Sequence, residues 1–371
     1  MHTPSIRPTG SRLTLRQHHA RRPEFEMLAL PPAIQVRLSG RPPIAVDGVT
    51  LHPQMQLILA LRALLRPARL LDPIALEARA QLRRDALAIA GRPIPVGAVS
   101  DLVIDGGSGH AMSARHYAPA GAPQPLLVYY HGGGFVAGDL DTHDGLCRRI
   151  CRDADVHVLS VDYRLAPEHP FPAAVEDAMA AFRWAYAHAA ALGAMPGKVA
   201  VGGDSAGGNL AAVVGQMTAA AGGPAPCAQV LIYPPTDRTT TRPSLELFSD
   251  SFFLTRADID WYHLQYTGST IAQPDPAQNS LCAKNFSGLP PALVVTAGFD
   301  PLRDEGEAYA DALRQAGVPV SLKRFDGLLH GFCSMQTISP ACDAAVAEIV
   351  MDLRTLIDTG ATARTDACAS V

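Results

Sequence analysis

The serine best placed for chemistry lies between a predicted buried strand and an apolar helix that runs to about residue 221. Around it, Gly203-Asp204-Ser205-Ala206-Gly207 fits the pattern G-x-S-x-G. A serine at such a sharp turn has a strained backbone, and glycines two positions away on each side prevent side-chain clashes. The turn also aims the positive end of the helix at the serine and leaves the Ala206 N–H available to an anion. We therefore predict a nucleophilic Ser205 rather than an ordinary Gly/Ser turn.

The base for this serine is expected to be a histidine further along the chain. A serine hydroxyl is a poor nucleophile until a base removes its proton, and the expected chain order is serine, then carboxylate, then histidine. Of thirteen histidines, only His263 and His330 follow Ser205. Only His330 follows the last predicted strand, in the loop 328–332. We predict that His330 is the base.

The carboxylate that orients this histidine is expected at the end of the preceding strand. Asp300 directly follows the apolar run at 292–299. Asp304 falls in the next predicted helix, and Asp326 is too close to His330 in sequence to reach round the imidazole. We predict that Asp300 is the acid.

A second glycine-rich segment, His131-Gly132-Gly133-Gly134, directly follows the strand predicted at 125–130. Glycines let the backbone approach a ligand and turn its N–H groups inward. With Ala206, these groups would form an oxyanion hole, where one donor can contribute roughly 2.7–4 kcal/mol of transition-state stabilisation. His131 precedes the serine, so we predict that it holds the loop by side-chain hydrogen bonds and is not the base.

The elements that must position these residues alternate between buried strands and helices. Two short strands near 101–104 and 112–118 predict an antiparallel start, and further strands are predicted at 125–130, 156–161, 198–201, 229–233, 292–296 and 320–325. Helices are predicted at 142–154, 172–192, 206–221, 303–316 and 340–357. This alternation predicts an α/β fold with a mostly parallel eight-stranded sheet covered by helices on both faces.

The N-terminal regions lie outside this alternation. Residues 1–45 are rich in Arg, Pro, Ser and His without periodicity, so we expect a disordered basic leader whose removal leaves folding and turnover unchanged. The alternative is a leader that packs over the site. Residues 46–98 contain two predicted helices, the second capped by Asp72 and ended by Gly91.

Two other segments complete the predicted organisation. Residues 99–358 form the predicted catalytic domain, and within it residues 236–289 replace a short crossover. A long insertion at the carboxyl end of a strand covers the ligand in such sheets. We predict that it forms a cap with the 46–98 helices and lines a substrate pocket with Phe252, Phe253 and Trp261. Residues 359–371 are expected to be a flexible tail.

Composition limits the partners. The formal charge of −4 argues against nucleic acid. Residues 1–45 have seven arginines and two glutamates, a balance of +5, which leaves −4 − 5 = −9 for the rest. Seven scattered cysteines complete no zinc pattern and favour free thiols in the cytoplasm. No apolar run reaches the roughly 18 residues of a membrane span, and the segment after Arg21-Arg22 is too short for an export signal.

Six motifs in order resemble the hormone-sensitive-lipase-like esterases, the bacterial family IV of the α/β-hydrolases. The glycine-rich loop is extended to 131–135 and the serine turn to 203–209, and the predicted acid and base lie in 300–306 and 330–332. The other two motifs are residues 138–143 and 162–171. The resemblance implies the α/β-hydrolase fold with a helical cap. It also implies Ser205, Asp300 and His330 as the catalytic residues and Gly132, Gly133 and Ala206 as the oxyanion donors, with His131, Gly134, Gly203 and Gly207 as supporting motif residues.

The function implied is a serine carboxylester hydrolase for short- to medium-chain acyl esters, with no metal and no organic cofactor. Two alternatives stay open. One is an amide, formamide or lactone hydrolase with the same three residues. The other is a non-catalytic receptor like the plant gibberellin receptors, which the retained His330 argues against. The sequence leaves open whether two copies form a homodimer.

Overall fold

The first described elements are short and precede the main sheet. The computed structural model describes residues 26–65 and 74–368, with side chains described for 26–64 and 74–359. The elements of the first range are a 3-10 turn (Met27–Ala29), helix α1 (Pro32–Leu38), strands β1 (Ala45–Val46) and β2 (Val49–Thr50), and helix α2 (Pro53–Leu65).

Leu28 anchors the start of this segment, because its side chain is only 1% exposed. Its carbonyl oxygen accepts hydrogen bonds from the side-chain amides of Gln35 at 2.8 Å and Gln54 at 2.7 Å. The expectation of a disordered leader is therefore wrong for residues 26–45. The contacts are made by one buried leucine and two glutamine side chains, and such isolated residues give no periodic pattern in the sequence. Residues 1–25 lie outside the described residues.

Helix α3 (Ala75–Ile89) is the second of the two helices predicted within residues 46–98, and it is slightly shorter than predicted. Its N-cap position is Ile74, without a side-chain cap, so the prediction of Asp72 as the cap is wrong; Asp72 itself lies outside the described residues. Gly91 follows the helix with φ +71°, a left-handed conformation that ends helices and favours glycine.

Eight strands form the central sheet in the order β10-β9-β8-β7-β5-β6-β4-β3. The pairs β3–β4 and β4–β6 are antiparallel and the other pairs are parallel. The strands are β3 (Ala98–Asp105), β4 (Ala111–Ala118), β5 (Leu126–Tyr130), β6 (His157–Val161), β7 (Val199–Asp204), β8 (Gln229–Ile232), β9 (Ala292–Phe299) and β10 (Val320–Leu329). The predicted eight-stranded, mostly parallel sheet is confirmed.

Helices cover both faces of this sheet. They are α4 (Asp144–Asp153), α5 (Ala173–His188), α6 (Ala206–Ala221), α9 (Arg303–Gln315) and α10 (Pro340–Cys368). Two more helices, α7 (Pro243–Leu247) and α8 (Arg256–Thr267), lie in the insertion between β8 and β9. One buried apolar cluster includes residues of α5, α6 and α9, and a second includes residues of α4 and α10. Strands buried on both faces explain the continuous apolar runs in the sequence.

The chain end differs from expectation in detail. Helix α10 continues to Cys368, so the predicted flexible tail is wrong for residues 359–368. Between β8 and β9 the insertion holds two helices, α7 and α8, in place of the short crossover that joins neighbouring strands elsewhere.

The insertion contacts the N-terminal helices. Arg62 of α2 donates a hydrogen bond to the carbonyl oxygen of Phe253 at 3.1 Å. The same guanidinium lies 4.3 Å from the centroid of the Phe253 ring, a cation–π contact. These contacts place α2 beside the segment that joins α7 to α8.

The parallel strands bring the predicted functional segments to one edge. Residues that follow β5, β7, β9 and β10 meet there because the carboxyl ends of parallel strands lie on the same side of a sheet. β5 and β7 are neighbours, with Tyr130 opposite Gly203. Within the described residues, no helix is long and apolar enough to cross a bilayer.

Candidate active site

Ser205 occupies the turn between β7 and α6 with φ +53° and ψ −121°, a conformation that few L-residues adopt. Such strain persists only where the surroundings impose it. A Cβ on Gly203 would lie 2.3 Å from the Tyr130 carbonyl oxygen, and a Cβ on Gly207 would lie 1.8 Å from the same atom. Only glycine fits at either position, so the turn is tight and presents Ser205 at the sheet edge.

Three side chains at this edge form one hydrogen-bonded chain. His330 Nε2 lies 3.0 Å from Ser205 Oγ, and His330 Nδ1 lies 2.8 Å from Asp300 Oδ2. Asp300 is fully buried, and its other oxygen accepts the Leu302 N–H at 2.8 Å. A carboxylate facing Nδ1 selects the tautomer with hydrogen on Nδ1, so the lone pair of Nε2 faces the serine hydroxyl.

The rejected candidates for base and acid lie elsewhere. Asp304 accepts the Ser244 N–H at 2.8 Å and pairs with Arg303 at 2.8 Å. Asp326 is on β10 with its side chain 62% exposed. His263 lies on α8 in the insertion. The structure therefore brings together the three residues selected from chain order.

The first glycine of the segment 131–134 is already a donor to a buried carboxylate. The Gly132 N–H donates to Asp204 Oδ1 at 3.0 Å, and a Cβ on Gly132 would lie 2.5 Å from Asp204 Oδ2. Asp204 is only 5% exposed and directly precedes Ser205. The prediction of Gly132 as an oxyanion donor is therefore wrong, because its N–H faces the back of the serine turn.

The next two glycines have available donors. Within the described part of the chain, neither the Gly133 N–H nor the Gly134 N–H has an acceptor. Gly133 has φ +121°, and its carbonyl oxygen accepts the Ala137 N–H at 2.9 Å, so the loop folds back at this point. Ala206 is the first residue of α6, where an N–H has no acceptor inside the helix. The available donors are thus Gly133, Gly134 and Ala206.

The matches to known proteins agree with this geometry. Residues 127–334 match the family described as alpha/beta hydrolase fold. The chain belongs to this family. The hydrolase is 50% identical over 331 residues to the carboxylic ester hydrolase LipN of Mycobacterium tuberculosis, covering 87% of each chain. It is 39% identical over 283 residues to the ethyl acetate hydrolase of Pseudomonas putida, covering 75% of this chain and 89% of that protein.

A solved structure extends the likeness. The hyperthermophilic esterase from Pyrobaculum calidifontis aligns with a TM-score of 0.78 and 40% identity, covering 82% of this chain and 98% of that one. The predicted α/β-hydrolase fold, the hormone-sensitive-lipase-like family and the enzyme class, a carboxylesterase, are confirmed.

The hydrolase holds its glycine loop through His131, which is fully buried. His131 Nδ1 lies 2.8 Å from the Gly132 carbonyl oxygen, and the ring stacks on Tyr163 with centroids 4.3 Å apart. Burial, with the neighbouring His143, lowers the pKa of His131 to about 4. A neutral ring that donates from Nδ1 fits the predicted holding role.

Sequence reasoning missed two buried ionisable residues behind this loop, Asp204 and His143. Burial alone would raise the pKa of Asp204, but His143 lowers it to about 2. Burial alone would lower the pKa of His143, but Asp204 raises it above its usual value. Both residues stand in the quoted motifs, Asp204 at an x position of G-x-S-x-G and His143 at the end of 138–143. Their positions inside two of the quoted motifs were the sequence signal that could have found them.

Of the predicted pocket residues, Phe253 contacts the site. A Cβ on Gly331, next to His330, would lie 3.4 Å from Phe253 Cε1. Phe252 instead packs against Phe299 with ring centroids 5.4 Å apart. Phe253 is therefore the better candidate for a pocket wall.

On α8, the neighbour of the predicted Trp261 reaches the glycine loop. A Cβ on Gly134 would lie 2.3 Å from the Tyr262 ring, so this ring lies directly over the loop. Trp261 packs edge-on against Tyr262 with centroids 5.1 Å apart. The sequence shows both aromatic residues, but only the helix orientation distinguishes the ring on the loop from the one behind it.

Proposed function

We propose that this carboxylesterase works through an acyl-enzyme on Ser205. The observation that carries the proposal is the hydrogen-bonded chain from Asp300 through His330 to Ser205, at 2.8 and 3.0 Å. As Ser205 Oγ attacks the ester carbonyl carbon, its proton passes to His330 Nε2. Asp300 keeps the imidazole in the required tautomer and stabilises the imidazolium.

The negative charge of the tetrahedral intermediate develops on the former carbonyl oxygen. We assign its donors as the N–H groups of Gly133, Gly134 and Ala206, since all three are available and lie on the loop and turn that flank Ser205. Donors that are held in place before the reaction cost no reorganisation when the charge forms.

Three proton transfers complete the turnover. Collapse of the intermediate breaks the bond to the alcohol oxygen, which takes the proton from His330. Water then attacks the acyl-enzyme while His330 accepts its proton, and a second collapse returns the proton to Ser205 and releases the acid. His330 is thus base and acid in alternation.

The cap is proposed to limit the substrate. Phe253 beside Gly331 and Tyr262 over Gly134 put two aromatic rings next to the reacting groups. Aromatic walls favour the burial of a short apolar chain. We propose short- to medium-chain acyl esters, with the highest kcat/KM between butyrate and octanoate, and no interfacial activation on emulsified long-chain triglyceride.

The mechanism is tested with p-nitrophenyl butyrate. Ser205→Ala and His330→Ala should each lower kcat by a factor of about 10⁴–10⁶, and the double variant little further, because the residues act as a unit. Asp300→Asn should lose somewhat less. His263→Ala is the matched control, since His263 also follows Ser205, and it should keep kcat. If His263→Ala removed turnover while His330→Ala kept it, the assignment of the base would be wrong.

A further inference from the structure

A buried charged pair lies behind the glycine loop and takes no part in the acyl transfer described above. Asp204 is 5% exposed and His143 is 6% exposed. Asp204 Oδ1 accepts the Tyr129 hydroxyl at 2.7 Å and the Gly132 N–H at 3.0 Å, and His143 Nε2 lies 3.3 Å from the same oxygen. Three groups therefore converge on one carboxylate oxygen.

The hydrogen bonds of Thr142 determine where His143 carries its protons. Thr142 Oγ1 lies 2.8 Å from the Asp139 carbonyl oxygen, which can only accept, so the single hydroxyl hydrogen is used there. His143 Nδ1, 2.9 Å from Thr142 Oγ1, must then donate its own hydrogen. If Nε2 carried only a lone pair, that lone pair would face a buried carboxylate at 3.3 Å. Nε2 also lies 3.3 Å from the Gly132 nitrogen, but the Gly132 N–H has the Asp204 carboxylate as a nearer acceptor at 3.0 Å. A hydrogen on both ring nitrogens therefore leaves the carboxylate, Thr142 and the Gly132 N–H each with a partner.

We propose that His143 is a buried imidazolium paired with Asp204, and that this pair positions the Gly132 peptide and so aims the Gly133 and Gly134 N–H groups into the site. The proposal rests on the proposed function, in which those two groups bind the oxyanion. His143 and Asp204 are positioning residues that act through the loop and do not touch the substrate. Their contribution is geometric: a shift of about 1 Å in a reacting group can cost 10²-fold in rate.

The groups around His143 leave its charge dependent on pH. Asp204 faces it from β7, Tyr129 and His131 from β5 and the loop that follows, and Asp139 from its own loop. Cys147 lies one turn further on α4, where its N–H donates to the His143 carbonyl oxygen. Burial raises the pKa of the Tyr129 hydroxyl and of the Cys147 thiol, so both stay neutral. The imidazolium is present below the raised pKa of His143 and is lost as pH rises through it.

The first measurement reads the charge without turnover. In the full chain, the ¹⁵N shifts of the His143 ring, assigned by their absence in His143→Gln, should be those of an imidazolium at neutral pH. In Asp204→Asn the same ring should lose its proton at lower pH. A neutral ring at neutral pH would overturn the proposal, whatever the esterase does.

The second measurement separates positioning from stability. On p-nitrophenyl butyrate, His143→Gln should lower kcat by about 10–100-fold with KM nearly unchanged. Affinity for a trifluoromethyl ketone, which forms an oxyanion on Ser205, should fall by the same factor. Asp204→Asn keeps an acceptor for Gly132 and should lose less of both. If His143→Gln folds poorly, the same two measurements on Asp204→Asn test the positioning role.

The matched control is His157→Gln, because His157 is equally buried at 4% exposure but stacks on His116 away from the loop. It should lower Tm and leave kcat and the pH profile unchanged. The wild-type kcat should decline in alkaline solution as His143 loses its charge, and this decline should be absent in His143→Gln. If His143→Gln lowered Tm but left kcat and the pH profile unchanged, as the control should, the positioning role would be refuted. Ser205→Ala tests the proposed function separately, since its outcome does not depend on His143.

Discussion

Replacing Leu28 by alanine tests whether residues 26–38 are part of the folded hydrolase. Leu28 is 1% exposed, and a buried leucine replaced by alanine usually costs about 2–5 kcal/mol of unfolding free energy. Leu28 lies in a three-residue 3-10 turn, which can shift to fill part of the space, so we expect the lower part of this range, about 2–3 kcal/mol. For a chain of this size, with an unfolding entropy of about 2.1 cal/mol/K per residue, that lowers Tm by roughly 3–4 °C.

The control for this prediction is Leu38→Ala, because Leu38 ends α1 with 48% exposure. A surface substitution of this kind should change the free energy of unfolding by no more than about 0.5 kcal/mol. Urea unfolding followed by circular dichroism measures both variants, and turnover of p-nitrophenyl butyrate reports on the folded fraction. Equal midpoints for Leu28→Ala and Leu38→Ala would refute the anchoring role of Leu28 and restore the idea of a dispensable segment.

Three further outcomes are expected. Gly133→Ala should lower kcat by a factor of about 10²–10³. The added Cβ would lie 2.1 Å from the Ala137 carbonyl oxygen, and Gly133 has φ +121°, which disfavours alanine. Steady-state kinetics should show this loss in kcat with little change in KM. Phe253→Ala should move the preferred acyl chain towards longer esters on a p-nitrophenyl series, and an unchanged profile would exclude this wall. The pair Asp204–His143 should stabilise the fold fully above pH 3.8 and below pH 6.5, the ordinary pKa values of its members. This contribution is lost as pH rises through the raised pKa of His143 and as pH falls towards 2. Urea midpoints across pH measure it, and His143→Gln should remove the alkaline loss.

Chain order and periodicity were enough to predict that the three residues of the proposed catalytic chain lie together. Helix α6 has the predicted bounds 206–221, since glycines mark its start and a continuous apolar sequence follows. Ser205 and Asp300 each follow a fully buried strand, and His330 follows the edge strand β10. Parallel strands bring their carboxyl ends to one edge of the sheet. Their meeting is thus a consequence of topology that can be predicted without knowledge of side-chain packing.

Features that depend on contacts distant in sequence could not be predicted. Whether Gly132 or Gly134 offers its N–H to the substrate depends on Asp204, which lies on another strand. The segment around Leu28 is held by a hydrogen bond from Gln54, which is distant in sequence. The ring over the glycine loop is Tyr262 rather than Trp261 because of the orientation of α8. No local pattern carries this information.

Asp204 links the two halves of the proposed catalytic geometry. Its backbone continues directly into Ser205, so it is part of the strained turn, while its carboxylate holds the Gly132 N–H at 3.0 Å. A displacement of β7 would therefore move the nucleophile and the glycine loop together and keep their separation. The first x position of G-x-S-x-G is nominally unconstrained, but in this chain Asp204 at that position supplies a buried acceptor. A change at that position should consequently alter kcat without any contact to the substrate.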